Sequence, residues 1–145
     1  MPLSSQFDYY RGHHQPDTSE DEIRFHELDK GMPEFYKRPS DYLWDVDTHY
    51  GKVEAKQSAL RARGNPEADV RIYRAVPHGV TTINPGDWVT TSHQYAKQHG
   101  MHESDPEQDM PVISAITKAK HITFGGNDAY EFGYAGTEQL PHDPR

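Results

Sequence analysis

The chain of 145 residues contains no cysteine. Disulfides, thiolate metal sites and cysteine nucleophiles are therefore excluded, and the fold has to hold by packing and hydrogen bonding. Apolar residues are also scarce, at 33%, and no run approaches the ~20 apolar positions that a membrane-spanning helix needs. The opening segment, Met1-Pro2-Leu3-Ser4-Ser5-Gln6, has neither a basic region nor an apolar stretch. No signal peptide is expected, and the chain reads as soluble, with no membrane partner, and cytoplasmic in the producing cell or in a target bacterial host. Clustered Lys and Arg are missing as well: the net charge is −8 and the acidic excess is spread over both halves. Affinity for a phosphate backbone depends on such clusters, so nucleic acid is not indicated as a partner.

What is present is one domain's worth of chain, rich in punctuation and in aromatics. Eleven Pro and eleven Gly call for many loops, and nine Tyr, five Phe and two Trp supply the bulk for a small core. Residues 1–64 read as a loop-rich helical portion of a single domain spanning 1–145. Within it, a short helix is expected from Ser19, and Phe35, Tyr36, Tyr42, Leu43 and Trp44 form an apolar patch that packs onto the later part. The best helix runs over 47–63, capped by Asp47 or Thr48, with Tyr50, Val53 and Leu60 on one face, and is ended by Gly64 with Pro66 beyond.

After Gly64 the period changes to two, and residues 65–136 read as a strand-rich core. Strands are expected over 70–76, 88–91, 112–117, 121–124 and 130–134. Asn84-Pro85-Gly86-Asp87 is a turn, Ser92 caps a helix over 93–99 that stops at Gly100, and Gly125-Gly126-Asn127-Asp128 is a flexible turn. Residues 101–110 form a solvated acidic loop and 137–145 a tail. The fold class is α+β: a mostly antiparallel sheet core with short helices.

Two charged residues stand out against this pattern. Alternation places Arg74 on the face of Val70, Ile72 and Val76, where a charge is expensive unless paired. A structural ion pair, a snorkelling edge residue and a planar fork aimed at an anionic ligand all account for it. In Tyr130-Glu131-Phe132-Gly133-Tyr134 the aromatics share one face and Glu131 the other, beside a glycine that suggests a site where a ligand approaches the backbone closely. Taken alone, Glu131 fits a solvent-facing carboxylate on an edge strand better than a functional one.

Taken in order, these elements resemble the ADP-ribosyltransferase family of the Arg–Ser/Thr–Glu type. The matching segments are Ile72-Tyr73-Arg74-Ala75-Val76-Pro77, Pro85-Gly86-Asp87-Trp88-Val89, the triplet Thr90-Thr91-Ser92, Tyr95-Ala96, and Asn127-Asp128 followed by Glu131-Phe132-Gly133-Tyr134. They look like ADP-ribosyltransferase-like domains of bacterial and bacteriophage proteins, and they cover residues 70–134, under half the chain. The resemblance implies the family's split antiparallel sheet and NAD as co-substrate. It also implies Glu131, Thr90 and Arg74 as catalytic residues, with Tyr73, Arg74, Ala75, Thr90, Thr91, Ser92 and Tyr95 around the dinucleotide. Arg74 would hold the phosphates or adjoining ribose, Thr90 would brace the wall and the carboxylate, and Tyr95 would stack on nicotinamide or serve as helix core. Trp88 reads as core.

The implied activity is mono-ADP-ribosyl transfer to an unknown macromolecular acceptor, most simply a protein, in the setting of a toxin, an anti-defence factor or a virion component. Many protein-modifying members carry Gln or Glu two residues before the catalytic Glu, and here that position is Ala129. NAD glycohydrolysis is therefore an alternative, and a catalytically inactive binding or structural module is another. No metal is expected. His99-Gly100-Met101-His102-Glu103 lacks the helical His-Glu-x-x-His spacing, Arg11-Gly12-His13-His14 lies in a polar terminus, and Gly125-Gly126 opens no helix and so is not a dinucleotide fingerprint.

Overall fold

The computed structural model describes residues 15–44, 49–101 and 105–144, and over them Gly64 marks the passage from helix to sheet. Helix α1 spans His49–Ala62; its expected caps, Asp47 and Thr48, lie outside the described residues. Gly64 takes φ +71° and donates its N–H to His26 O at 2.8 Å, so the left-handed stop is present. The expected apolar face is not the buried one. Tyr50 is 78% exposed and Leu60 also faces water, while Gly51, Ala55, Ser58, Ala59 and Ala62 are buried. The helical spacing was carried by small residues, which let α1 approach its neighbours closely and leave no room for bulk.

The first strand, β1 (Asp69–Ala75), pairs antiparallel with β4 (Val112–Lys118), Arg74 opposite Ile113 and Tyr73 opposite Ser114. Val70, Ile72, Ile113 and Ala115 are buried on one face, the alternation expected of a sheet with one side on a core. A second sheet has the order β3 (Trp88–Val89), β6 (Glu131–Tyr134), β5 (Ile122–Asp128), again antiparallel. Two backbone hydrogen bonds join the sheets: Tyr73 N–H to Thr90 O at 2.8 Å and Thr90 N–H to Tyr73 O at 3.0 Å. Trp88 pairs with Gly133 and Val89 with Phe132, so the next step of that register sets Thr90 beside Glu131. Tyr73, Thr90 and Glu131 thus lie in one row across three chain segments.

The approach to Glu131 differs from the expected flexible turn. Residues 125–128 belong to β5, with Gly125 at φ +72° inside an irregular stretch of the ladder, and the turn is the two residues Ala129 and Tyr130. Asp128 Oδ1 accepts the N–H groups of Tyr130 at 2.7 Å and Glu131 at 3.0 Å, a side-chain-closed turn. Gly133 is needed because the chain itself comes close: a Cβ there would lie 2.6 Å from Thr123 Oγ1 and 2.8 Å from Pro16 Cβ. The crowding that was read as a ligand's approach is internal packing.

The N-terminal portion wraps this sheet. No helix starts at Ser19, where there is a turn; a 3-10 segment, Phe25–Lys30, follows instead. Phe25 meets Phe132 edge to face at 5.1 Å, and Phe35, Tyr36 and Leu43 are buried in the same core. Helix α2 (His93–Gly100) begins at Ser92, whose Oγ accepts the Tyr95 N–H at 3.1 Å. The tail is not loose: β7 (Leu140–Pro141) pairs with β2 (Thr82–Ile83). Beyond it, His142 Nδ1 accepts the Ser114 N–H at 3.0 Å and Asp143 N–H donates to Ser114 O at 2.7 Å. Two-residue strands are too short for alternation to announce, which is why both were missed. The architecture is α+β with antiparallel pairing throughout the described strands.

Candidate functional site

Beyond the Tyr73–Thr90 bridge the two sheets part, and a small pocket, with a cavity volume of about 30 Å³, opens between β1, β3, β6 and α2. Arg74, Thr90 and Glu131, expected together from the sequence, all line it, as do Tyr73, Ala75 and Tyr95. Thr91 and Ser92 sit behind the wall, 1% and 0% exposed. Ser92 caps α2 and Thr90 Oγ1 accepts the Ser92 N–H at 3.2 Å, so the triplet fixes the corner between β3 and α2. Thr91 Oγ1 is buried and has no hydrogen-bond partner among the described residues.

Glu131 is held at the aromatic end. Its Oε1 accepts the Tyr95 hydroxyl at 2.5 Å and lies 3.4 Å from His99 Nε2. Tyr95 stacks on Tyr130, with ring centroids 5.1 Å apart and planes 2° from parallel, and on His99 at 4.9 Å. Trp44 packs against Tyr95 at 5.8 Å and Tyr130 at 4.8 Å, and Tyr130 OH donates to Trp44 O. Of the two roles open to Tyr95, nicotinamide platform or helix core, the packing fits the second: it is buried, its ring is stacked on these neighbours and its hydroxyl serves the carboxylate. The Glu131 side chain is 16% exposed. Asp128, one turn away, has its carboxyl pushed up from the ordinary value by burial, with the negative charge of Glu131 adding to it.

Arg74 is held differently. Its guanidinium donates to Trp88 O at 3.0 Å and lies 3.6 Å from Asp87 Oδ2, leaving the side chain 20% exposed. Of the three explanations open for this residue, the ion pair is present. Arg74 and Trp88 also line a second, adjoining space of about 290 Å³ with Thr82, Asn84 and Asp87. An anion spanning both spaces would pass the guanidinium and displace Asp87 from it. Trp88 is core, 6% exposed, as expected, yet its surface closes part of both spaces.

The back of the wall is braced by residues that sequence patterns did not single out. Glu54 on α1 accepts the Tyr73 hydroxyl at 2.6 Å and the His93 N–H at 2.6 Å, tying α1 to β1 and to the start of α2. Burial first, then the hydrogen bond to Glu54, raises the Tyr73 hydroxyl well above the ordinary tyrosine range, so that group stays protonated. His99 reads in the sequence as a surface histidine beside other potential metal ligands, yet its spacing of four from Tyr95 puts both on one helix face. Its supposed co-ligands His102 and Glu103 lie outside the described residues, as do Arg11, Gly12, His13 and His14. No described helix is long and apolar enough to cross a membrane.

No family model, curated protein or solved structure matches this chain.

Proposed function

We propose that this chain binds NAD in the pocket, breaks the nicotinamide–ribose bond and transfers ADP-ribose to a macromolecular acceptor. The observation that carries this reading is the meeting of Arg74, Thr90 and Glu131, from three separate segments, on one pocket. The pocket and the larger space past Arg74 share Arg74 and Trp88 in their walls, so a dinucleotide would run from one into the other. Arg74 would bind the phosphates through its planar fork, exchanging Asp87 for them. Glu131, oriented by Tyr95, would hydrogen-bond a ribose hydroxyl and stabilise the positive charge that grows on the ribose as nicotinamide leaves. Such a preorganised anion is worth far more than the same charge in water.

Purified protein incubated with NAD should release nicotinamide, and Glu131→Gln should cut the rate by ~100-fold, the scale of removing one electrostatic stabiliser. Equal release by mutant and wild type would falsify the assignment. Ala129 favours a second reading, transfer to water, because the position two before Glu131 holds a buried methyl group and no polar side chain. Mass spectrometry of proteins from a treated bacterial lysate separates the two, since only a transferase leaves an adduct.

A further inference from the structure

A dinucleotide running from the pocket into the adjoining space carries two phosphates past the neck between them. Arg74 and Trp88 line both spaces at that neck. Among the described residues of the two walls there is no lysine and no second arginine. A diphosphate would therefore depend on one guanidinium. The bond to Trp88 O at 3.0 Å takes one of its N–H groups, and Asp87 Oδ2 stands 3.6 Å from Nε. The N–H groups form a rigid fork, and a carboxylate on one edge contests them with any incoming anion.

Asp87 is fixed where it stands. The same Oδ2 accepts the Asn84 N–H at 2.8 Å, and the Asp87 N–H donates to Asn84 O at 3.0 Å, closing the turn from both sides. Its carbonyl accepts the Tyr134 N–H at 2.9 Å. Gly86, at φ +90°, donates its own N–H to Tyr134 O at 2.8 Å. The carboxylate is thus clipped to the turn and to β6, while the guanidinium rides on a long, rotatable stem. When phosphate arrives, the cation turns and the anion stays.

Resting on the function proposed above, we infer that Asp87 is an affinity-determining residue, a fixed carboxylate that competes with the phosphates of the dinucleotide for Arg74. Binding the diphosphate means giving up the Asp87 pair, and that loss falls on NAD and ADP-ribose alike. It raises KM without helping the bond-breaking step, and it lets an ADP-ribosyl product leave. A ligand without phosphate makes no claim on Arg74 and is indifferent to Asp87.

The test uses the full chain with NAD, ADP-ribose and adenosine. Asp87→Asn removes the charge and keeps an oxygen for the Asn84 N–H. ADP-ribose binding by calorimetry should tighten about tenfold, the scale of one charge in a partly exposed site, while adenosine binding stays as in wild type. KM for NAD should fall by a similar factor, with no rise in kcat. Asp87→Ser, whose hydroxyl also accepts that N–H, should act in the same direction and stands in if the Asn variant does not fold. In an Arg74→Gln background the tightening should shrink to about twofold or less, because no guanidinium is left to contest. A merely structural Asp87 would give the opposite sign, with ADP-ribose held more loosely as the turn gives way. ADP-ribose bound no more tightly by the folded Asp87 variants overturns this inference, as does undiminished tightening without Arg74. Either result leaves the NAD reading standing where wild type releases nicotinamide. Wild-type protein that releases none overturns both.

Discussion

On the β1 side of the pocket, Arg74 divides its guanidinium between Trp88 O and Asp87, beside a wide space that also touches Thr82 and Asn84. On the β6 side, Glu131 is wedged against Tyr95 and His99, with Tyr130 and Trp44 packed behind them. The cation has an exchangeable partner and room to adjust. The anion is pinned by an aromatic stack that does not move without disturbing the core. That division suits a reaction in which one charge recognises and the other has to be in place before charge develops.

Glu131→Gln is the largest expected effect, and smaller changes sharpen the contrast. Tyr95→Phe removes the hydroxyl that orients the carboxylate and leaves the stack in place. A hydrogen bond to a charged group is worth about 1.5–3 kcal/mol, so nicotinamide release should fall by at least about tenfold in kcat. An unaffected kcat would show that stacking alone holds Glu131. Arg74→Gln should instead raise KM for NAD about tenfold while kcat stays within about threefold, the pattern of lost uniform binding. A kcat loss as deep as that of Glu131→Gln would erase the distinction between the two walls.

The smallest effect concerns the turn before Glu131. The raised carboxyl of Asp128 means that the folded protein holds this proton more tightly than the unfolded chain does. Its contribution to stability is therefore full below the ordinary value of 3.8 and is lost as the pH rises through the raised folded-state value. Asp128→Asn keeps the oxygen that accepts the Tyr130 and Glu131 N–H groups and removes the charge. Thermal melting should show the variant at least as stable as wild type at neutral pH, by no more than about 4 °C. The gap should close toward acid pH, and a gap that widens there would reverse the sign assigned to Asp128.

The parts of this molecule that follow from local pattern were legible in the chain. β1 was visible because Val70 and Ile72 alternate with Arg71 and Tyr73, and α2 because Ser92 and Gly100 bracket it. Arg74 and Glu131 drew notice as a charge among apolar neighbours and a carboxylate between aromatics, but only the resemblance joined them with Thr90 as one site. Long-range contacts were not legible. Nothing local pairs Leu140–Pro141 with Thr82–Ile83, or tells that Pro16 and Thr123, not a ligand, crowd Gly133. α1 misled because bulk was weighed over spacing, and the small residues at 51, 55, 59 and 62 proved to be the inner face. Tyr95 was seen, but whether its ring was available depended on Tyr130, Trp44 and His99, which only the tertiary fold brings together.

The last residues carry a further consequence. Ser114 turns its N–H and C=O away from β1, and His142 and Asp143 occupy both. Shortening the chain before Leu140 would bare that margin of β4 beside the 43% exposed Ile116. A naked strand margin next to an apolar side chain is a template for a second copy. Truncated protein should therefore self-associate and drop out of solution before it loses its pocket.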